Sequence, residues 1–340
     1  MHTPTDTIRS QYRDIWVVGE ERGGELKAVT YELLGCARRL AEARGAKAWC
    51  VLAGAGIEHM AQPCIRHGAD VVLLIDRPEL AHFVDHEHAE ALAEAIEHYR
   101  PEVVLYGATA RGRALAPRLA VRVMAGLTAD CTGLDIEPGT GSLLQTRPAF
   151  GGNIIATITS ASHRPQMATV RPRVMTALAE DASRVGQVLR FRPAVGRGGL
   201  EGRCRVLQTI TGSRDTVRIA DARFIVAGGR GLRGKDGFRL LGEFASMVGG
   251  AVGASRAAVD CGWIDYAHQV GQTGTTVQPK VYMACGVSGQ VQHLVGMQSS
   301  DVIIAINTDR EAPIMKLADY AVVGDVFSVL PSLMRQMRQG

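Results

Sequence analysis

The 340-residue chain is 46% hydrophobic and 21% charged, too apolar for a disordered protein and long enough for two cores. Its 38 basic and 34 acidic residues leave a net charge of +4, and no basic run resembles a nucleic-acid-binding tail. No apolar run approaches the roughly 18 residues of a membrane span, and the polar N-terminus MHTPTDTIRSQYRD lacks the apolar stretch of a secretory signal, so a soluble cytoplasmic protein is expected.

The first half alternates strand and helix signals. Residues Ile15–Gly19, Trp49–Ala53, Val71–Ile75 and Val103–Tyr106 read as short buried strands. Helical patterns lie between and after them, at Glu25–Arg44, Ile57–His67, His86–Tyr99 and Ala110–Val123. Such alternation predicts a parallel sheet with crossover helices. Over 132–178 the pattern shortens to Leu143–Thr146, Asn153–Thr159 and Met167–Val170, punctuated by Arg-Pro pairs that favour extended backbone. An antiparallel extension of the first sheet is expected there. The Gly-rich stretch 193–202 and a β run at Cys204–Ile210 lead to a domain boundary near 210, giving domains 1–210 and 211–340.

Alternation resumes with strands at Phe224–Ala227, Val252, Val281–Ala284, Val302–Ile306 and Ala321–Val323. Helices fall at Phe238–Val248, Ser288–Leu294 and Val326–Met337. The expected fold class is therefore α/β in two domains, the second a doubly wound unit. Seven cysteines, none at C-x-x-C spacing, read as reduced buried thiols rather than iron–sulfur ligands.

Chemistry concentrates in the second half. Gly229, Gly231 and Gly234 make a G-x-G-x-x-G after a strand, which alone is weak grounds for a dinucleotide site. The acid expected about twenty positions on is missing, which disfavours a nicotinamide-dependent dehydrogenase using the Gly229–Gly234 turn, the alternative reading. Arg230 could instead meet phosphates directly. Ser255 and Arg256 end a short apolar run. The loop Gln269-Val270-Gly271-Gln272-Thr273-Gly274 brackets small polar groups with glycines and can hug a planar ligand. Ser288-Gly289-Gln290-Val291-Gln292-His293 is expected to open a helix whose N-terminus favours an anion, with His293 able to hydrogen-bond a ligand carbonyl. Asn307 stands at a strand's carboxyl end with both a donor and an acceptor, and Asp325 reads as an N-cap before Val326. No Ser–His–Asp set and no H-E-x-x-H spacing is present, which suits a protein whose chemistry belongs to a cofactor.

The block Val281–Asn307, VYMACGVSGQVQHLVGMQSSDVIIAIN, with GGRG, GASRAAVD, VGQTG, EAPI and ADY around it, resembles the alpha subunit of electron transfer flavoproteins. Val281 stands where the pattern usually has Leu or Ile. The resemblance spans the chain, although residues 225–330 carry most of it. It implies one FAD in the second domain and a heterodimer whose beta subunit packs against the first domain. It also implies electron exchange with an acyl-CoA dehydrogenase-type flavoenzyme, and motion about the 195–210 linker as a gate. It places Arg256 beside the flavin ring, Gln272 and Thr273 near its reactive nitrogen, and Asn307 and Asp325 on the adenosine half. The segments Gly126–Cys131 and Gln145–Asn153 look most like versions in anaerobes, where the beta subunit binds a second FAD and the pair bifurcates electrons from NADH, with ferredoxin or flavodoxin as acceptor. Under that reading Arg147 helps bind the second flavin. Bifurcating and simple carrier branches both stay open, as does a subunit that senses a nucleotide without redox activity.

Overall fold

The computed structural model describes residues 11–149, 154–193, 206–209, 219 and 222–339. The chain divides into two compact units, 1–208 and 209–340. The 193–202 stretch lies outside the described residues but for Pro193, and so do Cys204, Arg205 and Ile210 of the expected β run. Residues 206–209 form no strand.

In the first unit the strands are β1 (Arg13–Val18), β2 (Glu21–Arg22), β3 (Glu25–Leu26), β4 (Ala48–Gly54), β5 (Val71–Asp76), β6 (Pro101–Gly107), β7 (Gly126–Cys131), β8 (Gly133–Ile136), β9 (Leu143–Ala149), β10 (Ile154–Ile158), β11 (Gln166–Val170) and β12 (Gln187–Arg190). Seven form one sheet in the order β12-β5-β4-β1-β6-β11-β7, every pairing parallel. Alternate residues of β1 feed opposite cores. Ile15 and Val17 pack with Leu33, Leu34 and Leu40 of the helix Ala28–Arg44, whereas Trp16 packs with Leu92 and Ile96 of Asp85–Tyr99 and Leu119 of Ala110–Arg122. Because both faces are covered at the centre of the sheet, β4, β5 and β6 carry continuous apolar runs rather than alternating ones.

The antiparallel extension exists as its own sheet, β10-β9-β8. Met167–Val170 belongs elsewhere: β11 runs parallel between β6 and β7 in the main sheet. Buried Glu102, paired with Arg164 at 2.6 Å and accepting from Gln166 Nε2 at 3.0 Å, ties β6 to the start of β11.

The second unit is a five-stranded parallel sheet of β13 (Phe224–Gly228), β14 (Ala251–Ala254), β15 (Val281–Cys285), β16 (Val302–Asn307) and β17 (Tyr320–Val323), in the order β14-β13-β15-β16-β17. On one face Phe238, Leu241 and Phe244 of the helix Lys235–Met247 and Leu330 of Val326–Gln339 bury against Val226, Met283 and Ile306. Each such side chain contributes about 1.5–3 kcal/mol relative to exposure. The other face holds Ile225, Tyr282, Ile303 and Ile314. The chain lays β14 on one side of β13 and then crosses to place β15 on the other. That reversal opens a crevice at the carboxyl ends of β13 and β15, where α/β sheets bind ligands.

Candidate functional site

A cavity of about 570 Å³ occupies that crevice, within the size range of small-molecule and cofactor sites. The strands end level, with Gly228 opposite both Ala254 and Cys285. The residues that follow each strand therefore converge: Gly229-Arg230-Gly231 after β13, Ser255-Arg256 after β14, Gly286-Val287-Ser288-Gly289 after β15, and Asn307, the last residue of β16.

The two central loops cross in backbone contact. A Cβ on Gly229 would stand 2.2 Å from the Gly286 carbonyl oxygen, and one on Gly231 would stand 2.7 Å from Gly286 Cα. Gly286 itself holds φ +60°, a left-handed conformation. The Gly229 N–H donates to Cys285 O at 3.0 Å and the Gly231 N–H to Gly286 O at 3.1 Å. These amides are engaged by the neighbouring loop, so the glycines serve the crossing rather than an anion cradle. Arg230, exposed on the wall, makes no ion pair among the described residues and is the group left to meet an anion.

Arg256 reaches Asp260 at 3.3 Å, an exposed i,i+4 pair whose two members both line the cavity. In nicotinamide enzymes the second strand is followed by a ribose-binding acid. Here β14 is followed by Ser255 and Arg256, a hydroxyl and a cation. Gln269, buried, donates from Nε2 to Thr273 Oγ1 at 3.0 Å, and the Gln272 N–H donates to Gln292 O at 2.7 Å. These bonds fix Gln272 and Thr273 on the wall beside Val270 and Gly271. Gly274 stands behind the loop, where a Cβ would meet Gln269 O at 2.4 Å.

The helix expected from Ser288 is one turn, Val291–Leu294. Gly289 at φ +82° delays it, and so short a turn carries no useful dipole. Ser288, Gly289, Gln290, Gln292 and His293 line the cavity, while Val291 is exposed and off the wall. His293 is buried. Its Nε2 lies 2.9 Å from the Tyr282 hydroxyl, and its Nδ1 is buried without a hydrogen-bond partner. Burial pushes its pKa down to about 4, against an upward pull from the Val270 backbone, so the ring is neutral at pH 7. His293 is thus a neutral group and not a carrier of positive charge.

Asn307 donates from Nδ2 to Val287 O at 2.9 Å and accepts the Asp309 N–H at 3.1 Å, bracing the β15 loop from the end of β16. Asp325 is not on the wall; it accepts the Phe327 N–H at 3.0 Å as an N-cap and pairs with Arg233 at 3.3 Å. Asp260, Asp309 and Ala312 line the cavity without having been singled out. Asp260 was legible as the i,i+4 partner of Arg256, and Asp309 as the second residue beyond a strand end.

The reversed strand order of the first unit makes a second crevice, between β1 and β6, but its cavity is only about 40 Å³. Glu20 lines it, paired with Lys27 and accepting from the Thr109 hydroxyl at 2.5 Å. Among the described residues no cluster of His, Cys, Asp or Glu could hold a metal ion, and no helix is long and apolar enough to cross a membrane. The described cysteines are free; Cys261 is exposed, whereas Cys36, Cys50, Cys64, Cys131 and Cys285 are buried.

Comparison with known proteins matches residues 15–195 to the electron transfer flavoprotein domain and residues 218–298 to the electron transfer flavoprotein FAD-binding domain. An electron transfer flavoprotein subunit alpha of Thermoanaerobacterium thermosaccharolyticum is 49% identical, over 97% of this chain and 99% of that protein. The acryloyl-CoA reductase electron transfer subunit beta of Anaerotignum propionicum is 40% identical, over 97% of each. The lactate dehydrogenase (NAD(+),ferredoxin) subunit LctC of Acetobacterium woodii is 40% identical, over 96% of this chain and 77% of that protein. With its flavin-domain signature gathered on the wall of one crevice, the chain belongs to the electron transfer flavoprotein alpha-subunit family.

Proposed function

We propose that this chain binds FAD in the crevice of its second unit and carries electrons as one half of a heterodimer with a beta subunit. The observation that carries the reading is the cavity at the β13/β15 reversal, walled by an exposed, unpaired arginine, a second arginine, and a buried histidine nitrogen without a partner. A flavin nucleotide asks for those groups: cations for its pyrophosphate and for charge gained on reduction, and a donor for a ring carbonyl. FAD supplies the electron-transfer chemistry when bound. Arg230 would attract the pyrophosphate, Arg256 would favour the more negative redox state, and the Gln269–Thr273 bond would hold the loop against the ring. Residues Asn307 and Ser288 would shape the nucleotide end.

The first unit is the expected seat of the beta subunit. The partner dehydrogenase would be of the acyl-CoA dehydrogenase type. The kinship with an NAD- and ferredoxin-linked lactate dehydrogenase subunit supports extending the reading to a bifurcating pair, with NADH as donor and ferredoxin or flavodoxin as an acceptor. Arg147, on β9, would then help hold the beta subunit's flavin.

Absorption spectroscopy of the chain co-purified with its beta subunit tests the proposal. Visible flavin bands that disappear with Arg230→Ala are expected; a colourless wild-type complex would overturn it. Flavins counted per heterodimer during titration with NADH separate the branches: two flavins with NADH reduction mark a bifurcating pair, and one flavin marks a simple carrier.

A further inference from the structure

Four charged side chains stand on the wall of the large cavity: Arg230, Arg256, Asp260 and Asp309. Two cations and two carboxylates balance, although a ligand that carries a pyrophosphate and gains electrons calls for cations. Asp309 has a local reason to be there: its carboxylate accepts the Glu311 N–H at 2.9 Å and shapes the turn after β16. Asp260 has no such duty. It is the last residue of the short helix Arg256–Asp260, and among the described residues its carboxylate has one partner, Arg256 Nε at 3.3 Å. Helical i,i+4 spacing places both side chains on one side of that helix, and both reach the cavity. The contact is single: Asp260 takes Nε, and among the described residues the two terminal nitrogens of Arg256 are left without a protein partner. In open water so exposed a pair is weak. On a wall from which a ligand displaces water, screening falls, and each fixed charge acts on whatever charge the ligand gains.

We infer that Asp260 is a tuning residue that opposes Arg256, so that the pair, and not the arginine alone, sets the reduction potential of the ligand in this cavity. The inference rests on the FAD reading above. An electron added to the ring is attracted by the guanidinium and repelled by the carboxylate. Asp260 therefore holds the potential below the value that Arg256 by itself would give. Neutralising the carboxylate should raise it. Asparagine keeps the size of the side chain and an oxygen that accepts from Nε, so Arg256 can stay where it is.

Spectroelectrochemical titration of the flavin-loaded complex with its beta subunit reads the potential of the flavin held by this chain. Asp260→Asn should raise it by about one tenfold step in the one-electron equilibrium, ~59 mV. Asp260→Glu keeps the charge and should stay at the wild-type value. Arg256→Gln alone should lower the potential, and Arg256→Gln combined with Asp260→Asn, which removes both charges, should bring it back close to wild type. Asp260 is exposed, so these variants leave the core untouched. An unmoved potential in Asp260→Asn overturns the inference. A lowered one does so too, because the carboxylate would then serve only to hold the arginine in place. A double variant that titrates like Arg256→Gln alone overturns it as well, since Asp260 would have no effect of its own. A wild-type complex that holds no flavin defeats the proposed function and this inference with it, whereas a loaded complex whose potential ignores Asp260 defeats the inference alone.

Discussion

At the scale of single residues, burial and charge assign His293 and Arg256 different tasks. His293 has an ordinary value of 6.5 that burial lowers to about 4 in the folded chain. Between those two values the unfolded chain takes up a proton that the folded chain refuses. Stability is therefore complete above pH 6.5 and falls as pH drops toward 4. From pH 7 to pH 5 the loss at this one ring amounts to about 2 kcal/mol. Urea unfolding of the flavin-free protein should show that slope, and His293→Gln should flatten it by about that amount; an equal slope in both proteins would mean the ring is not held neutral. Arg256, by contrast, is exposed and shares its charge with Asp260. Replacing it by Ala should lower the potential of the bound flavin by on the order of 60 mV, one tenfold step for one electron. A redox titration that leaves the potential unmoved would remove Arg256 from its assigned role.

At the scale of elements, the crevice depends on two loops that only glycine lets touch. Gly286 combines a left-handed φ of +60° with Gly231 Cα 2.8 Å from where its Cβ would stand. Gly286→Ala should cost about 1–3 kcal/mol from strain alone and more from parting the loops, with loss of flavin. Gly242, inside the helix Lys235–Met247, has open space where a Cβ would go. Gly242→Ala should stabilise by about 0.5–1 kcal/mol and leave the flavin in place. Thermal unfolding of the two variants side by side checks both signs.

The same elements show what the sequence made legible. Continuous apolar runs such as Val281–Ala284 and Val302–Ile306 announced strands buried on both faces, and these proved to be β15 and β16. Strands with polar or glycine content, β7 (GLTADC) and β12 (QVLR), gave no such signal, because their pairing partners rather than their own side chains define them. The one-turn helix at Val291 was read too long because nothing local distinguishes a helical Gly289 from a left-handed one. Many wall residues were named in advance from three signals: residues just after strand ends, a loop bracketed by glycines, and the family resemblance. Asp325 has the right residue type for two tasks, and only the fold shows it capping a helix.

On the scale of the whole molecule, two parallel sheets reverse direction in the same manner, yet one crevice is open and the other is filled. At the β13/β15 reversal backbone meets backbone, the side chains withdraw, and about 570 Å³ remains. The β1/β6 reversal turns inward instead: Glu20 brings its own carboxylate to the start of the helix Ala110–Arg122, where Thr109 and Lys27 hold it and about 40 Å³ is left. A helix start that a phosphate would otherwise favour is thus satisfied by the chain itself. Topology alone would allow each unit a nucleotide, while side-chain occupancy allows one. Titration of the flavin-free chain with FAD, followed by flavin fluorescence, should therefore saturate at one flavin per alpha chain. Arg230→Ala should weaken that binding by at least tenfold through loss of a charge-assisted contact. Glu20→Gln, which disturbs only the filled crevice, should leave the stoichiometry and affinity as they were. Two equivalents bound by the wild-type chain, or binding abolished by Glu20→Gln, would mean that the first unit takes a nucleotide and that its internal carboxylate is not the plug described.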